Sequence, residues 1–121
     1  DKPAIVLMDS GSASASEILA GAIRDNHAGT LVGTKTFGKG VVQSSLEFAD
    51  GSGMKVTTAR YYTPSGECIH EIGIEPDIEV ELDADAVTRY GINNLPHEND
   101  AQLQCAIAVL NGKTATESEA E

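Results

Sequence analysis

Ala4-Ile5-Val6-Leu7-Met8 is an unbroken apolar run, and just beyond Asp9 the chain from Ser10 to Ser16 is built from serine, glycine and alanine alone. A short run of this kind, with β-branched members, reads as a strand buried on both faces, as in a parallel sheet. Asp9 to Ala13 then turn the chain. From Ala15 the apolar residues fall at Ala15, Ile18, Leu19, Ala22 and Ile23, the spacing of one helix face. Ser14 with Glu17 three residues on forms an S-x-x-E capping box, and the helix is expected to end near Asp25-Asn26, ahead of Gly29. Thr30-Leu31-Val32-Gly33 reads as a second short strand. Strand, helix and strand make a βαβ unit, which predicts parallel strands with a right-handed crossover and is compatible with an α/β fold.

Thr34 to Gly40 is a loop in which Gly38 and Gly40 flank Lys39. Val41–Phe48 and Met54–Tyr62 read as strands joined through the Asp50-Gly51 turn of Ala49–Gly53, a hairpin. In the second of these strands Met54, Val56, Thr58, Arg60 and Tyr62 share one face. Thr63-Pro64-Ser65-Gly66 is a turn, and Ile72 to Asp77 is extended. Ile78-Glu79-Val80-Glu81-Leu82 alternates strictly, as an edge strand with its acids outward. Asp83 to Asn99 is read as polar and irregular. Asp100 caps a last helix with apolar positions at Leu103, Ala106, Ile107 and Leu110, stopped by Asn111-Gly112. The division expected is a domain over residues 1–112 and a disordered acidic tail over 113–121.

At 121 residues the chain is one domain or part of one. A formal net charge of −11 argues against binding nucleic acid through its phosphates. Acids dominate from Glu67 onward, whereas Lys35, Lys39, Lys55 and Arg60 cluster in the middle. No apolar run is long enough to span a membrane, and no signal peptide is visible. Cys68 and Cys105 match no metal spacing and no CxxC motif; they read as two free thiols, or as one disulfide. No metal or cofactor is expected. The chain opens directly on a strand that needs neighbours, so it is expected to be part of a larger protein. Its apolar strand can pair with another copy, as a dimer or a swapped homo-oligomer.

A strand, a tight turn and a helix start bring backbone N–H groups and the Ser14 hydroxyl to one point. That arrangement serves a helix cap, and it equally suits a nucleophile on an anion-stabilising corner. A nucleophilic serine needs a base. His27, His70 and His97 lie in no compact motif, and each reads as a surface residue. A lysine serves only when neutral, a state that burial favours because desolvation disfavours the charged form. Lys39, between its two glycines, can be threaded into such a site, and both Lys39 and Lys35 can equally be solvated loop charges.

The stretches Gly11-Ser12-Ala13-Ser14-Ala15-Ser16-Glu17-Ile18, Ala20-Gly21-Ala22 and Gly33-Thr34-Lys35-Thr36-Phe37-Gly38-Lys39-Gly40-Val41-Val42-Gln43 resemble the carboxyl-terminal processing peptidases, or tail-specific proteases. The resemblance continues through Thr57-Thr58-Ala59-Arg60-Tyr61-Tyr62-Thr63-Pro64-Ser65-Gly66, Gly73-Ile74-Glu75-Pro76-Asp77 and Asp100-Ala101-Gln102-Leu103. It implies a crotonase/Clp-protease-like fold, a mixed sheet with packed helices, present here as the C-terminal part of the catalytic domain without the family's PDZ and N-terminal regions. It implies Ser14 as nucleophile, Lys39 as general base, Gln43 as the residue orienting the lysine amine, and the Ala15 N–H as an oxyanion donor. Glu17 and Asp25 fall where the family carries supporting acids. The implied substrate is a protein or peptide with a C-terminal recognition tail. The implied location is the bacterial cell envelope, periplasmic or extracytoplasmic and membrane-associated. The family's second oxyanion donor is a glycine upstream of the stretch available here, so the 121 residues alone are expected to be inactive. The alternative is a non-catalytic ligand- or protein-binding module on the same fold, as in the retinoid-binding repeats of the photoreceptor matrix.

Overall fold

The structure, a computed structural model, describes residues 2–112; the expected tail at 113–121 lies outside the described residues. Strand β1 (Ile5–Met8) leads through the small-residue turn into helix α1 (Ala15–Asp25), which returns to β2 (Thr30–Gly33). The two strands are parallel, with Ile5 opposite Thr30 and Met8 opposite Gly33, as the βαβ reading predicts. β5 (Ile78–Glu79) pairs parallel to the other side of β2, so the strand order is β1-β2-β5. β3 (Val41–Glu47) and β4 (Gly53–Arg60) form a separate antiparallel hairpin. Helices α2 (Ala84–Tyr90) and α3 (Ala101–Leu110) follow, with two short 3-10 turns between them. The fold is mixed α/β, with its parallel and antiparallel pairings in two distinct sheets.

β2 is the central strand of the parallel sheet, and Leu31 and Val32 are wholly buried. Around it Met8, Ala20, Leu31, Ile69 and Ile74 make the core, with Val6, Ile23 and Tyr61 packed against them. Each fully buried isoleucine or leucine contributes about 2 kcal/mol. Of these core residues, Ile69 comes from a stretch to which the sequence patterns assign no element, and Ile74 from the segment read only as extended.

Several expectations are corrected. β1 is not buried on both faces: Leu7 is 43% exposed, because β1 lies at the edge of the three-stranded sheet. On α1 the inward residues are Glu17, Ala20 and Gly21, while Ile18 and Leu19 are exposed. The small residues let the helix approach closely; a Cβ on Gly21 would lie 3.0 Å from Thr63 Cγ2. On α3 the inward residues are Gln102, Cys105, Ala106 and Ala108, and Ile107 and Leu110 face out. Gln102 is accommodated because its amide donates to the Val80 carbonyl at 2.9 Å.

The polar stretch from Asp83 contains α2, capped by the Asp83 carboxylate, which accepts the Asp85 N–H, and ended at Gly91 with φ 79°. β5 is shorter than Ile78–Leu82 because its partner β2 stops at Gly33. The hairpin is exposed along most of its length, and Leu46, Phe48 and Met54 are open to solvent. β4 ends at Arg60, short of the expected Tyr62, which instead bridges to Cys68. Cys68 and Cys105 are free thiols.

Candidate active site

The turn after β1 is built by Asp9, whose carboxylate accepts the N–H groups of Gly11 at 2.8 Å and Ser12 at 3.0 Å. The Ser12 carbonyl then accepts the Phe37 N–H at 3.0 Å, drawing the later loop onto this turn. Ser14 follows with φ 58° and ψ −113°, a conformation that side-chain-bearing residues rarely adopt. Such a residue stores about 1–3 kcal/mol of backbone strain, held in place by its surroundings. Of the capping box, the arm from the Ser14 N–H to the Glu17 carboxylate is formed at 2.9 Å, and the Ser14 hydroxyl makes no capping bond. Ala15 is the first residue of α1, so its N–H belongs to the leading donors that have no partner within a helix, at the positive end of the helix dipole.

Glu17 is wholly buried. One carboxylate oxygen accepts the Thr36 hydroxyl at 2.6 Å and the Gly38 N–H at 2.7 Å; the other accepts the N–H groups of Ser14 at 2.9 Å and Lys39 at 2.8 Å. The Thr36 hydroxyl in turn accepts the Ile74 N–H at 2.8 Å. Burial pushes the Glu17 carboxyl up, but hydrogen bonds from Thr36, Gly38, Lys39 and Ser14 outweigh it and hold the pKa below the ordinary 4.5. The buried group is thus an anion whose charge is spread over four donors.

Thr36 to Gly40 runs extended past this carboxylate. Thr36, Gly38 and Gly40 are buried, while Phe37 and Lys39 are exposed, the alternation that an extended chain imposes. The buried glycines are required by contact: a Cβ on Gly40 would lie 2.5 Å from the His70 nitrogen, and Gly38 has φ 90°. The Glu71 N–H also donates to the Gly38 carbonyl at 2.8 Å. Lys39 is therefore gripped by its backbone while its side chain is open to solvent. The alternation that buries Gly38 and Gly40 turns Lys39 outward.

Gln43 stands on β3 just after a bulge. The pairing steps from Val42 opposite Ala59 to Gln43 opposite Thr57, leaving Thr58 without a partner residue. Such a bulge bends the ladder and re-aims the side chains next to it. Ser14, Lys39 and Gln43 line one cavity of about 340 Å³, together with Val41, Lys55 and Tyr61 among others.

Asp25 lies at the other end of α1, about 16 Å along the helix axis from Ser14. Its carboxylate accepts the Ser65 N–H at 2.9 Å and Arg24 Nε at 3.0 Å, and Arg24 reaches Glu67 at 2.6 Å. The Ser65 N–H, then the Thr63 and Ser65 hydroxyls, hold its carboxyl well below the usual carboxylate range. It ties the helix end to the Thr63–Gly66 turn and does not reach the cavity. His27 and His97 are exposed, as expected of surface residues; His70 is half-buried against Gly40, and its Nδ1 is buried with no partner among the described residues. The sequence patterns did not single out Thr36 as a partner of Glu17 or Lys55 as a lining residue of the cavity; for Thr36 the available signal was its place two residues before Gly38 in an alternating segment. Among the described residues no cluster of His, Cys, Asp and Glu could hold a metal ion, and no helix is long and apolar enough to cross a membrane.

Residues 1–80 match Peptidase family S41. The carboxyl-terminal-processing protease of Synechocystis sp. is 47% identical over 115 residues, which is 95% of this chain and 26% of that protein. The carboxy-terminal processing protease CtpA of Bacillus subtilis is 47% identical over 81 residues, 67% of this chain and 17% of that protein. A solved structure of a photosystem II D1 C-terminal processing protease superposes with a TM-score of 0.62 at 45% identity, covering 78% of this chain and 26% of that one. The chain thus spans about a quarter or less of the length of these relatives. With the match covering the strand–turn–helix, the Lys39 loop and the hairpin, this chain belongs to peptidase family S41, with the carboxyl-terminal processing proteases.

Proposed function

We propose that the protein carrying this chain is a serine endopeptidase that cleaves protein substrates near or from their C-terminus, with residues 1–112 supplying the C-terminal part of its catalytic domain. The observation that carries this reading is the Glu17 carboxylate, which accepts the N–H of both Ser14 and Lys39 and so fixes at one cavity two residues from separate segments. Neutral Lys39 takes the Ser14 Oγ proton as Oγ attacks the scissile carbonyl. Gln43, beside the bulge, orients the lysine amine. The Ala15 N–H donates to the oxyanion, a contribution of about 3 kcal/mol. The Lys39 ammonium then protonates the leaving amine, and water, activated by Lys39, releases the acyl group. Activity is a property of the intact protein, acting on substrates with a C-terminal recognition tail in the bacterial cell envelope.

The test is made in the intact protein with a peptide substrate. Ser14→Ala and Lys39→Ala each lower kcat by at least about 10³-fold while circular dichroism and the melting temperature stay within a few degrees. Lys39→Arg fails equally, because a guanidinium cannot be deprotonated. Cleavage retained by Ser14→Ala would sink the nucleophile assignment; cleavage retained by Lys39→Ala would move the base to another residue.

A further inference from the structure

Lys55 stands on β4 and lines the same cavity as Ser14 and Lys39. The hairpin register sets it opposite Ser45, two residues beyond Gln43 on β3, a step of about 7 Å along the strand. Gln43 and Ser45 share a face, so Lys55 joins the side of the hairpin that looks into the cavity. No carboxylate among the described residues lies within ion-pair distance of it, although the chain holds 19 acidic residues and 8 basic ones. Other cations are paired: Lys35 meets Glu75 at 2.7 Å, and Arg24 meets Asp25 and Glu67. The cavity lining carries two lysine side chains, Lys39 and Lys55, and no carboxylate. A concave surface lined with one sign of charge concentrates the opposite sign from solution.

We propose that Lys55 is a specificity-determining residue that binds a carboxylate of the peptide substrate, about two residues along from the position beside Gln43. The proposal rests on the reading of Ser14 as nucleophile given above. An ammonium on a flexible stem is a point charge with three rotatable donors, so it accepts a carboxylate from either of two sources. One is the side chain of Asp or Glu; the other is the free C-terminus of a substrate cut close to its end.

The test uses the intact protein and peptides of one length. One pair differs by Glu against Gln at each position flanking the scissile bond, with amidated ends. The other pair has no acidic side chain and differs by a free against an amidated C-terminus. The wild type favours the carboxylate member of at least one pair by about fivefold in kcat/KM, and which pair responds identifies the source. Lys55→Gln brings that ratio close to one, Lys55→Glu inverts it, and Lys55→Arg preserves it. The wild-type ratio declines with added salt, whereas the ratio of Lys55→Gln does not. A wild type that ignores both pairs, or a Lys55→Gln protein that keeps the full ratio, overturns the proposal. Ser14→Ala, run alongside, separates the failures: cleavage surviving there overturns the nucleophile reading itself, whereas cleavage lost there with an unchanged ratio in Lys55→Gln overturns only the role of Lys55.

Discussion

The Glu17 carboxylate accepts the Lys39 backbone N–H at 2.8 Å across 22 positions of sequence, while the same oxygen accepts the Ser14 N–H at 2.9 Å. A residue whose local role is to cap its own helix therefore also sets where the Lys39 loop lies. Glu17 is a positioning residue: it touches the backbones of Ser14 and Lys39 and acts through them.

Replacing Glu17 by Gln keeps the shape and removes the charge and one acceptor oxygen. The amide nitrogen cannot accept, so donors among Ser14, Thr36, Gly38 and Lys39 are left buried and unpaired. The expected loss is about 3 kcal/mol of stability, read as a lower urea midpoint. A shift of the Lys39 loop by about 1 Å lowers kcat by roughly 10²-fold. An unchanged midpoint would show that the buried carboxylate is dispensable.

Acid weakens the same joint. The folded-state pKa of Glu17 is lowered from 4.5, so its contribution to stability is complete above pH 4.5 and is lost as pH falls below that value through the folded-state pKa. Urea midpoints measured from pH 7 down to pH 3 should fall more steeply in the wild type than in Glu17→Gln, which has no carboxylate to protonate. Parallel curves would contradict this.

Ser14 holds a conformation that glycine adopts without penalty. Ser14→Gly is therefore expected to raise stability by about 1 kcal/mol while removing the hydroxyl. A higher melting temperature with no cleavage is the expected pair of results, and the mark of strain held at a functional residue. A lower melting temperature would mean that the serine side chain stabilises the turn.

Gly40→Ala places a methyl group 2.5 Å from the His70 nitrogen and 2.9 Å from its Cα. Both are backbone atoms, so the Lys39 loop must move off the 69–73 segment. The expected cost is about 2 kcal/mol of stability, with loss of activity in proportion to the displacement of Lys39. A crystal structure of the variant with the loop unmoved would refute the close-packing account.

Much of the fold was legible locally. The bounds of α1 and β2, the hairpin turn at Asp50-Gly51 and the Asp100 cap follow from periodicity, turn chemistry and capping, which operate over a few residues. Resemblance supplied Ser14, Lys39 and Gln43 as candidates, and all three line one cavity. Asp25, taken from the same resemblance, stands at the far end of the helix.

Which faces are buried was not legible, because burial is decided by surfaces that arrive from distant parts of the chain. The apolar spacing of α1 pointed to Ile18 and Leu19, yet Glu17, Ala20 and Gly21 turn inward. A glutamate can be buried there only because Thr36, Gly38 and Lys39 supply donors from 19 to 22 positions away. By itself the sequence determined the local elements and the serine corner, through backbone preferences and side chains near in sequence. Tertiary structure alone decided that the Glu17 carboxylate joins this corner to the Lys39 loop, because a buried anion is stable only where the fold brings it enough donors.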